Sequence, residues 1–235
     1  MQVLIVTTQP EATEKIKALS PDISAVVIDI DQSMNGNQEY SHVGYVKLMI
    51  LRTQMQLALV ERNIEMYAFE CDSVFLKNPI PLLHEQGNNV DIVFISNYKR
   101  PKAVNGGFLY LFPHNATKAT FAQLNKMMLH LAYKIKDMER NKSVPTSEND
   151  QVYLSKLHSQ HYAGLRSKTM PFSEFADGKW YEITEAERKL TDPYLIHNNW
   201  IIGIDKKETR AKQWGHWFLK EDGTCDFDQV KKVVK

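Results

Sequence analysis

Cysteine is almost missing from this chain. Cys71 and Cys225 are the two present, far apart in sequence, so a disulfide framework is excluded, one bridge stays open and the redox compartment is not indicated. Long apolar runs are missing too. Nothing approaches the roughly 20 consecutive apolar residues of a membrane span, and the opening MQVLIVTTQP meets Pro10 without a basic flank or a small-residue cleavage site. No membrane segment is therefore expected in this chain. Charge of one sign is also lacking: Lys+Arg 29 against Asp+Glu 28 leave +1, so no global field recruits nucleic acid or an anionic membrane. No nucleic-acid partner is expected, and any phosphate recognition must be local. Several motifs are absent as well. The stretch TTQPEATEK stands where G-x-G-x-x-G would follow a first strand, and no G-x-x-x-x-G-K-[ST], G-x-S-x-G or C-x-x-C occurs. Ordinary dinucleotide and P-loop sites, a hydrolase nucleophile elbow and a thioredoxin-like redox pair are thereby set aside.

What remains is enough for one substantial core: 235 residues, 43% hydrophobic and 10% aromatic, read as a single domain over 1–235. Residues 2–7 (QVLIVT) and 25–30 (AVVIDI) read as strands buried on both faces, with a brief helical pattern between them, which suggests a parallel sheet. From Ser41 to about Arg62 the apolar positions fall on helical spacing, with Ser41 available as a cap. MYAFECDSVFL (66–76), VDIVFIS (90–96) and GFLYLF (107–112) read as further strands, and Phe121 to Met138 as the stripe of a long helix. A shorter helix is expected to start near Ser147. The fold class is α/β, with a mixed, mostly parallel central sheet flanked by helices.

The central feature is Glu70-Cys71-Asp72. If the strand continues through it, Glu70 and Asp72 project together while Cys71 points away. Two carboxylates on one face repel unless a cation sits beside them, so a hard divalent ion such as Mn²⁺ or Mg²⁺ is a reasonable occupant. An acidic pair ending a strand in solvent is the alternative, and the tripeptide alone does not decide. Further on, His197-Asn198-Asn199-Trp200 is followed by Gly203-Ile204-Asp205-Lys206-Lys207. A histidine there can offer a neutral nitrogen to a metal, and glycine followed by lysines lets backbone and ammonium groups approach a diphosphate. A packed histidine and solvated lysines remain open. Asn105-Gly106-Gly107-Phe108 is either a tight turn into a strand or a close approach to a ligand. Ser147-x-x-Asp150 resembles a capping box, which would account for Asp150 without chemistry.

In order, Tyr45-Val46-Lys47-Leu48-Met49 through Arg52-Thr53, FECDSVFLKNPIP, NGGFLYL, ENDQ and LIHNNW with the downstream GIDKK resemble the nucleotide-diphospho-sugar transferases, retaining GT-A enzymes of glycosyltransferase family 77. The likeness spans about 40 to 217, and Glu70 replaces the first Asp of the family's Asp-x-Asp motif. The resemblance implies a GT-A, Rossmann-like fold with a nucleotide-binding half (1–100), an acceptor and sugar half (101–220) and a C-terminal tail (221–235). It implies a UDP-sugar donor, Mn²⁺ or Mg²⁺ as cofactor, and metal ligands Asp72, His197 and Glu70. Thr7 and Thr8 would meet the base; Tyr45, Lys47 and Arg52 would hold base, ribose and phosphate; Gly203 and Lys207, or Lys206 beside it, would contact the diphosphate. Asn105 and Gly107 would line the sugar pocket, with Asp150 and Gln151 near the anomeric carbon. The acceptor would be a glycan or glycoprotein, met by segments 97–104 and 159–180. Trp180, Trp200, Trp214 and Trp217 are open to core packing or sugar stacking. A Golgi lumen would follow if a type II enzyme had been truncated, the cytoplasm otherwise. A non-catalytic nucleotide-sugar binder and a nucleotidyltransferase are the rival functions.

Overall fold

The computed structural model describes residues 2–19, 22–28, 38–98 and 100–235. Strands β1 (Val3–Thr7) and β2 (Ile23–Val27) pair in parallel from Val3↔Ile23 to Thr7↔Val27, joined by α1 (Pro10–Leu19), whose first residue is a proline preset for a helix start. The strands were expected to be buried on both faces. They are not: Leu4, Val26 and Val27 are 48%, 44% and 43% exposed, because among the described residues β1 and β2 pair only with each other. Asp29 and Ile30, at the end of the expected second strand, lie outside the described residues.

The main sheet has the order β3 (Met66–Phe69), β6 (Arg100–Leu111), β5 (Ile92–Asn97) and β7 (Ser167–Met170). A third sheet runs β4 (Ser73–Phe75), β9 (Leu195–His197), β8 (Phe175–Ala176). The mixed α/β architecture is the expected one. Parallel pairing does not predominate among the described strands, however. β1–β2, β5–β7 and β8–β9 are parallel, whereas β3–β6, β4–β9 and β5–β6 are antiparallel, the last because β6 folds straight back on β5.

Ile92, Val93, Phe94 and Ile95 are all fully buried because successive side chains enter different cores. Ile92 and Phe94 join a cluster with the apolar faces of α2 (Val43–Glu61), α4 (Asn115–Ile135) and α5 (Asp150–Ser159). Val93 and Ile95 meet Phe108, Tyr110, Phe175 and Leu195 on the opposite side. Four shorter helices complete the order: α3 (Ile80–His84), α6 (Glu185–Arg188), α7 (Ile204–Gln213) and α8 (Phe227–Val233). The last residue is tied down where the Lys235 N–H donates to the Leu76 carbonyl at 2.8 Å. Among the described residues no helix is long and apolar enough to cross a membrane.

Four local expectations are corrected. Ser41 does not cap α2: it takes a left-handed φ of 65°, and His42 is the N-cap with no side-chain hydrogen bond. The 66–76 segment is two strands in different sheets, parted by a turn in which the Ser73 N–H donates to the Glu70 carbonyl at 3.0 Å. Asn105 and Gly106 do not open a strand but lie inside β6. The helix expected near Ser147 begins at Asp150, with Asn149 as N-cap accepting from the Val152 N–H at 2.9 Å, so no capping box explains Asp150.

Candidate active site

The turn between β3 and β4 carries Glu70 and Asp72, and the antiparallel pairing Ser73↔His197 brings the end of β9 alongside. The Asn198 N–H donates to the Asp72 carbonyl at 2.9 Å and the Glu70 N–H to the Gly107 carbonyl at 3.1 Å, fixing the turn on both sides. The two carboxylates converge through this turn rather than through strand alternation. His197 Nε2 stands 3.1 Å from Glu70 Oε2 and 3.2 Å from Asp72 Oδ1, and the imidazole is only 2% exposed. One donor atom from each of these three residues lies within 4.8 Å of the others. Burial would push the His197 imidazole down, but its hydrogen bonds to Asp72 and Glu70 outweigh it and raise it to about 9.

Two basic side chains face these carboxylates. Arg52, on the inner face of α2, bridges two segments: its Nη1 donates to Glu70 Oε1 at 2.7 Å, and its Nε and Nη2 to Asp150 Oδ2 at 3.2 and 2.5 Å. Lys207, on α7, donates to Asp72 Oδ2 at 2.6 Å. Burial acts to raise both acidic groups of the turn. His197, with Arg52 on Glu70 and Lys207 on Asp72, overcomes it and holds both below the usual carboxylate range. The Tyr45 phenol, pushed up first by burial, also feels the charges of Arg52, Asp150 and Glu70, which puts it beside this cluster.

Glycine is required at one position here by contact rather than by φ. A Cβ on Gly107 would fall 2.3 Å from His197 Cε1 and 2.9 Å from Glu70 Oε2, so the imidazole occupies the space a side chain would need. The neighbouring backbone is pinned: Gln151 Oε1 accepts the Gly106 N–H at 2.9 Å and Asn105 Oδ1 accepts the Gly107 N–H at 3.0 Å. Four buried polar atoms in this region have no hydrogen-bond partner among the described residues, Ser73 Oγ, Asn105 Nδ2, Asp150 Oδ1 and His197 Nδ1. Such atoms are costly unless a ligand or water meets them.

The nucleotide-diphospho-sugar transferase family matches residues 1–211, nine-tenths of the chain and every residue of this cluster. The chain belongs to that family. No curated protein matches it. Among solved structures, apo mouse xyloside xylosyltransferase 1 aligns at 10% identity and a TM-score of 0.46, covering 85% of this chain and 87% of that one. As a nucleotide-diphospho-sugar transferase the chain is a glycosyltransferase, with a nucleotide-sugar donor and an acceptor as its partners.

Within the transferase, the residues expected from sequence divide. Glu70, Asp72, His197, Arg52, Lys207, Asp150, Gln151, Asn105, Gly107 and Tyr45 are gathered at one place. Lys206 is not: it faces solvent while its neighbour Lys207 turns inward. Gly203 is the N-cap of α7 at φ 101°, with open space where a side chain would stand. Lys47 is half-buried on α2, one residue past the buried Val46. Thr7 ends β1, its carbonyl accepting the Ile28 N–H at 2.8 Å and its hydroxyl the Gln9 N–H at 3.0 Å, and Thr8 follows it in a bend. Of the two segments expected to meet the acceptor, 100–104 belongs to β6 and 159–180 contains β7 and β8. Trp180 and Trp214 pack with Tyr181 and Ile196 in a small core.

Several residues were given no role from sequence. Asn198 Nδ2 donates to the Lys207 carbonyl at 3.0 Å, and Arg210 Nε donates to Asn198 Oδ1 at 2.7 Å while its Nη2 reaches the Asn199 carbonyl. Asn199 Oδ1 accepts the Gly178 N–H at 2.7 Å. Paired asparagines directly after a candidate ligand were the available signal, since side-chain amides can satisfy a non-repetitive backbone.

Proposed function

We propose that this glycosyltransferase is metal-dependent and retaining, and moves galactose or a pentose such as xylose or arabinose from a UDP-sugar to a hydroxyl of a glycan or glycoprotein. The observation that carries this reading is the position of His197 Nε2, 3.1 Å from one carboxylate and 3.2 Å from the other at the end of a buried strand. Two carboxylates and one imidazole form a donor set suited to Mn²⁺ or Mg²⁺. Asp72, His197 and Glu70 would hold the ion, with Glu70 offering Oε2 while Oε1 keeps Arg52. Once bound, the ion would neutralise charge on the departing diphosphate.

The chain's own groups account for the rest within a single catalytic domain. The 1–100 half contributes the turn and Arg52, the 101–220 half Asp150, His197 and Lys207. Thr7, Thr8, Tyr45 and Lys47 would contact the uridine. Lys207, with the free N–H groups that open α7 after Gly203, would stabilise the diphosphate. Asn105 and Gly107 would line the sugar pocket, Asn105 through its unpartnered Nδ2. The bond from the anomeric carbon to the diphosphate breaks, the acceptor oxygen bonds from the same face, and its proton passes to a diphosphate oxygen. Asp150, with one oxygen on Arg52 and the other unpartnered, would offset positive charge at that carbon, aided by Gln151. Its ion pair with Arg52 makes it a poor nucleophile and favours direct front-face attack over a covalent step. Trapping a glycosyl adduct on Asp150 would overturn that preference.

The test is calorimetric titration of UDP with Mn²⁺ present, repeated in excess chelator and with Asp72→Asn. Binding that needs both Mn²⁺ and Asp72 is expected, followed by slow hydrolysis of the matching UDP-sugar. Binding indifferent to chelator refutes metal dependence; no binding at all refutes the nucleotide.

A further inference from the structure

Trp200 is held in a manner that the site described so far does not use. Its φ is 60°, in the left-handed region that bulky residues avoid, yet its side chain leaves the residue 42% exposed. The indole N–H donates to Asp177 Oδ2 at 2.6 Å. Asp177 is fully buried and also accepts the Tyr98 N–H at 2.7 Å and the Lys179 N–H at 3.0 Å. With three donors on it, this carboxylate is an anchor for the ring rather than a reacting group. The Lys179 ammonium, itself paired with Glu182 at 2.6 Å, stands 5.3 Å from the ring centroid.

The anchor is locked to the active site. A Cβ on Gly178 would fall 2.0 Å from the Asn199 carbonyl oxygen, so the turn carrying Asp177 and the turn carrying Trp200 touch backbone to backbone. Asn198 meets the Asp72 carbonyl on one side and the Lys207 carbonyl on the other. Trp200 is three residues beyond His197, so their Cα atoms can be no more than about 11 Å apart. Left-handed backbone at a non-glycine residue accumulates where a ligand is positioned, and the carboxylate that orients this ring also fixes the Tyr98 and Lys179 N–H groups. Ile202, in the same loop, and Ile204, which opens α7, are 67% and 62% exposed.

We propose that Trp200 is the acceptor platform: the apolar C–H face of a pyranose of the acceptor glycan stacks on the indole, oriented by Asp177, and Ile202 and Ile204 meet its continuation. A flat ring with a fixed edge suits a sugar, whose faces are apolar and whose rim is polar. The inference rests on the glycosyltransferase reading and adds the acceptor side of that site.

The experiment measures transfer from UDP-galactose, UDP-xylose and UDP-arabinose to p-nitrophenyl glycosides of xylose, galactose and glucose, beside hydrolysis of each donor by water. Saturation-transfer NMR follows glycoside binding with UDP and Mn²⁺ present. Trp200→Leu is expected to raise the acceptor KM about tenfold and leave donor hydrolysis unchanged, with Trp200→Phe within about threefold of the unmodified protein. An acceptor KM unmoved in Trp200→Leu overturns the platform, as does an equal loss of hydrolysis and transfer. Saturation transfer to none of the glycosides overturns it as well. Failure of the unmodified protein to bind UDP or hydrolyse any of these donors removes the UDP-sugar reading and the platform together, and so is distinguishable from the other results.

Discussion

Gly107→Ala adds a single methyl at the tightest point of the candidate active site. The new carbon would stand 2.3 Å from His197 Cε1 and 2.9 Å from both His197 Nε2 and Glu70 Oε2, far inside ordinary contact. Neither neighbour yields easily: His197 is buried at the end of β9, and Glu70 is held by Arg52 at 2.7 Å. Nothing about the backbone favours glycine here, since φ is not positive and the residue lies inside β6. The cost is therefore one of overpacking, about 1–3 kcal/mol. A chain of this size loses about 2–4 °C of melting temperature for each kcal/mol. The displaced imidazole should also weaken Mn²⁺ by about 10–100-fold, as misplaced ligands do. Gly106→Ala is the control. Its Cβ meets Arg52 Nη2 at 3.1 Å and Gln151 Cβ at 3.4 Å, contacts that a small shift relieves, for less than about 1.5 kcal/mol. Melting curves with and without Mn²⁺ and calorimetric titration of Mn²⁺ read both effects. An unchanged Mn²⁺ affinity in Gly107→Ala, or an equal response in Gly106→Ala, would refute the claim that this carbon's absence makes room for the ligand.

Lys207→Ala removes the cation on Asp72. Mn²⁺ binding should tighten while donor hydrolysis falls about 10²–10³-fold, as for loss of one charge-stabilising donor; calorimetry and hydrolysis assays read the opposing signs, and parallel losses would count against it. Arg52→Met strips the partner from Asp150, whose side chain is 8% exposed, and from the more exposed Glu70. A loss of about 3 kcal/mol in urea unfolding is expected, at the low end for a broken buried pair. His216, pushed down to about 4 by burial, shares a hydrogen bond with the Tyr181 hydroxyl at 2.9 Å. Its folded value lies below its unfolded value, so the unfolded chain takes up the proton first and stability falls with pH, by about 2 kcal/mol between pH 7 and pH 5. In His216→Gln, which retains an acceptor for Tyr181, that slope should shrink by the same amount in urea titrations at the two pH values.

The two cores were legible because the runs 92–95 and 108–111 are apolar on both faces, a pattern that two flanking layers require. The stripes of α2 and α4 were legible for the equivalent reason at helical spacing. The break at Glu70 was not. FECDSVF carries neither glycine nor proline, and the segment divides only because β3 finds β6 while β4 finds β9, pairings made by residues far away in the chain. The capping-box alternative for Asp150 stayed open because Ser147 and Asn149 are both good N-caps, and spacing favoured the former. The choice is settled by Arg52, 98 residues earlier, which needs Asp150 at the first turn of α5. Local pattern fixed the elements; the ends of elements, where the candidate site sits, were fixed by partners that no window of sequence contains.

Three carboxylates, Glu70, Asp72 and Asp150, are met by Arg52, Lys207 and an imidazole raised to about 9. With the charges thus balanced, any single neutralising substitution leaves an excess of one sign in a mostly buried cluster, and lost activity then reports lost stability as readily as lost chemistry. Restoring the balance separates the two. Arg52→Met with Asp150→Asn removes one charge of each sign, and because the partners share one oxygen, their effects should not add. Unfolding free energy is expected to recover by at least about 1 kcal/mol over Arg52→Met alone. Donor hydrolysis should stay low, because the carboxylate proposed to face the anomeric carbon is gone. Recovery of hydrolysis along with stability would mean that Asp150 serves only to hold Arg52, and would shift the stabilisation of that carbon to Gln151 or to the diphosphate itself.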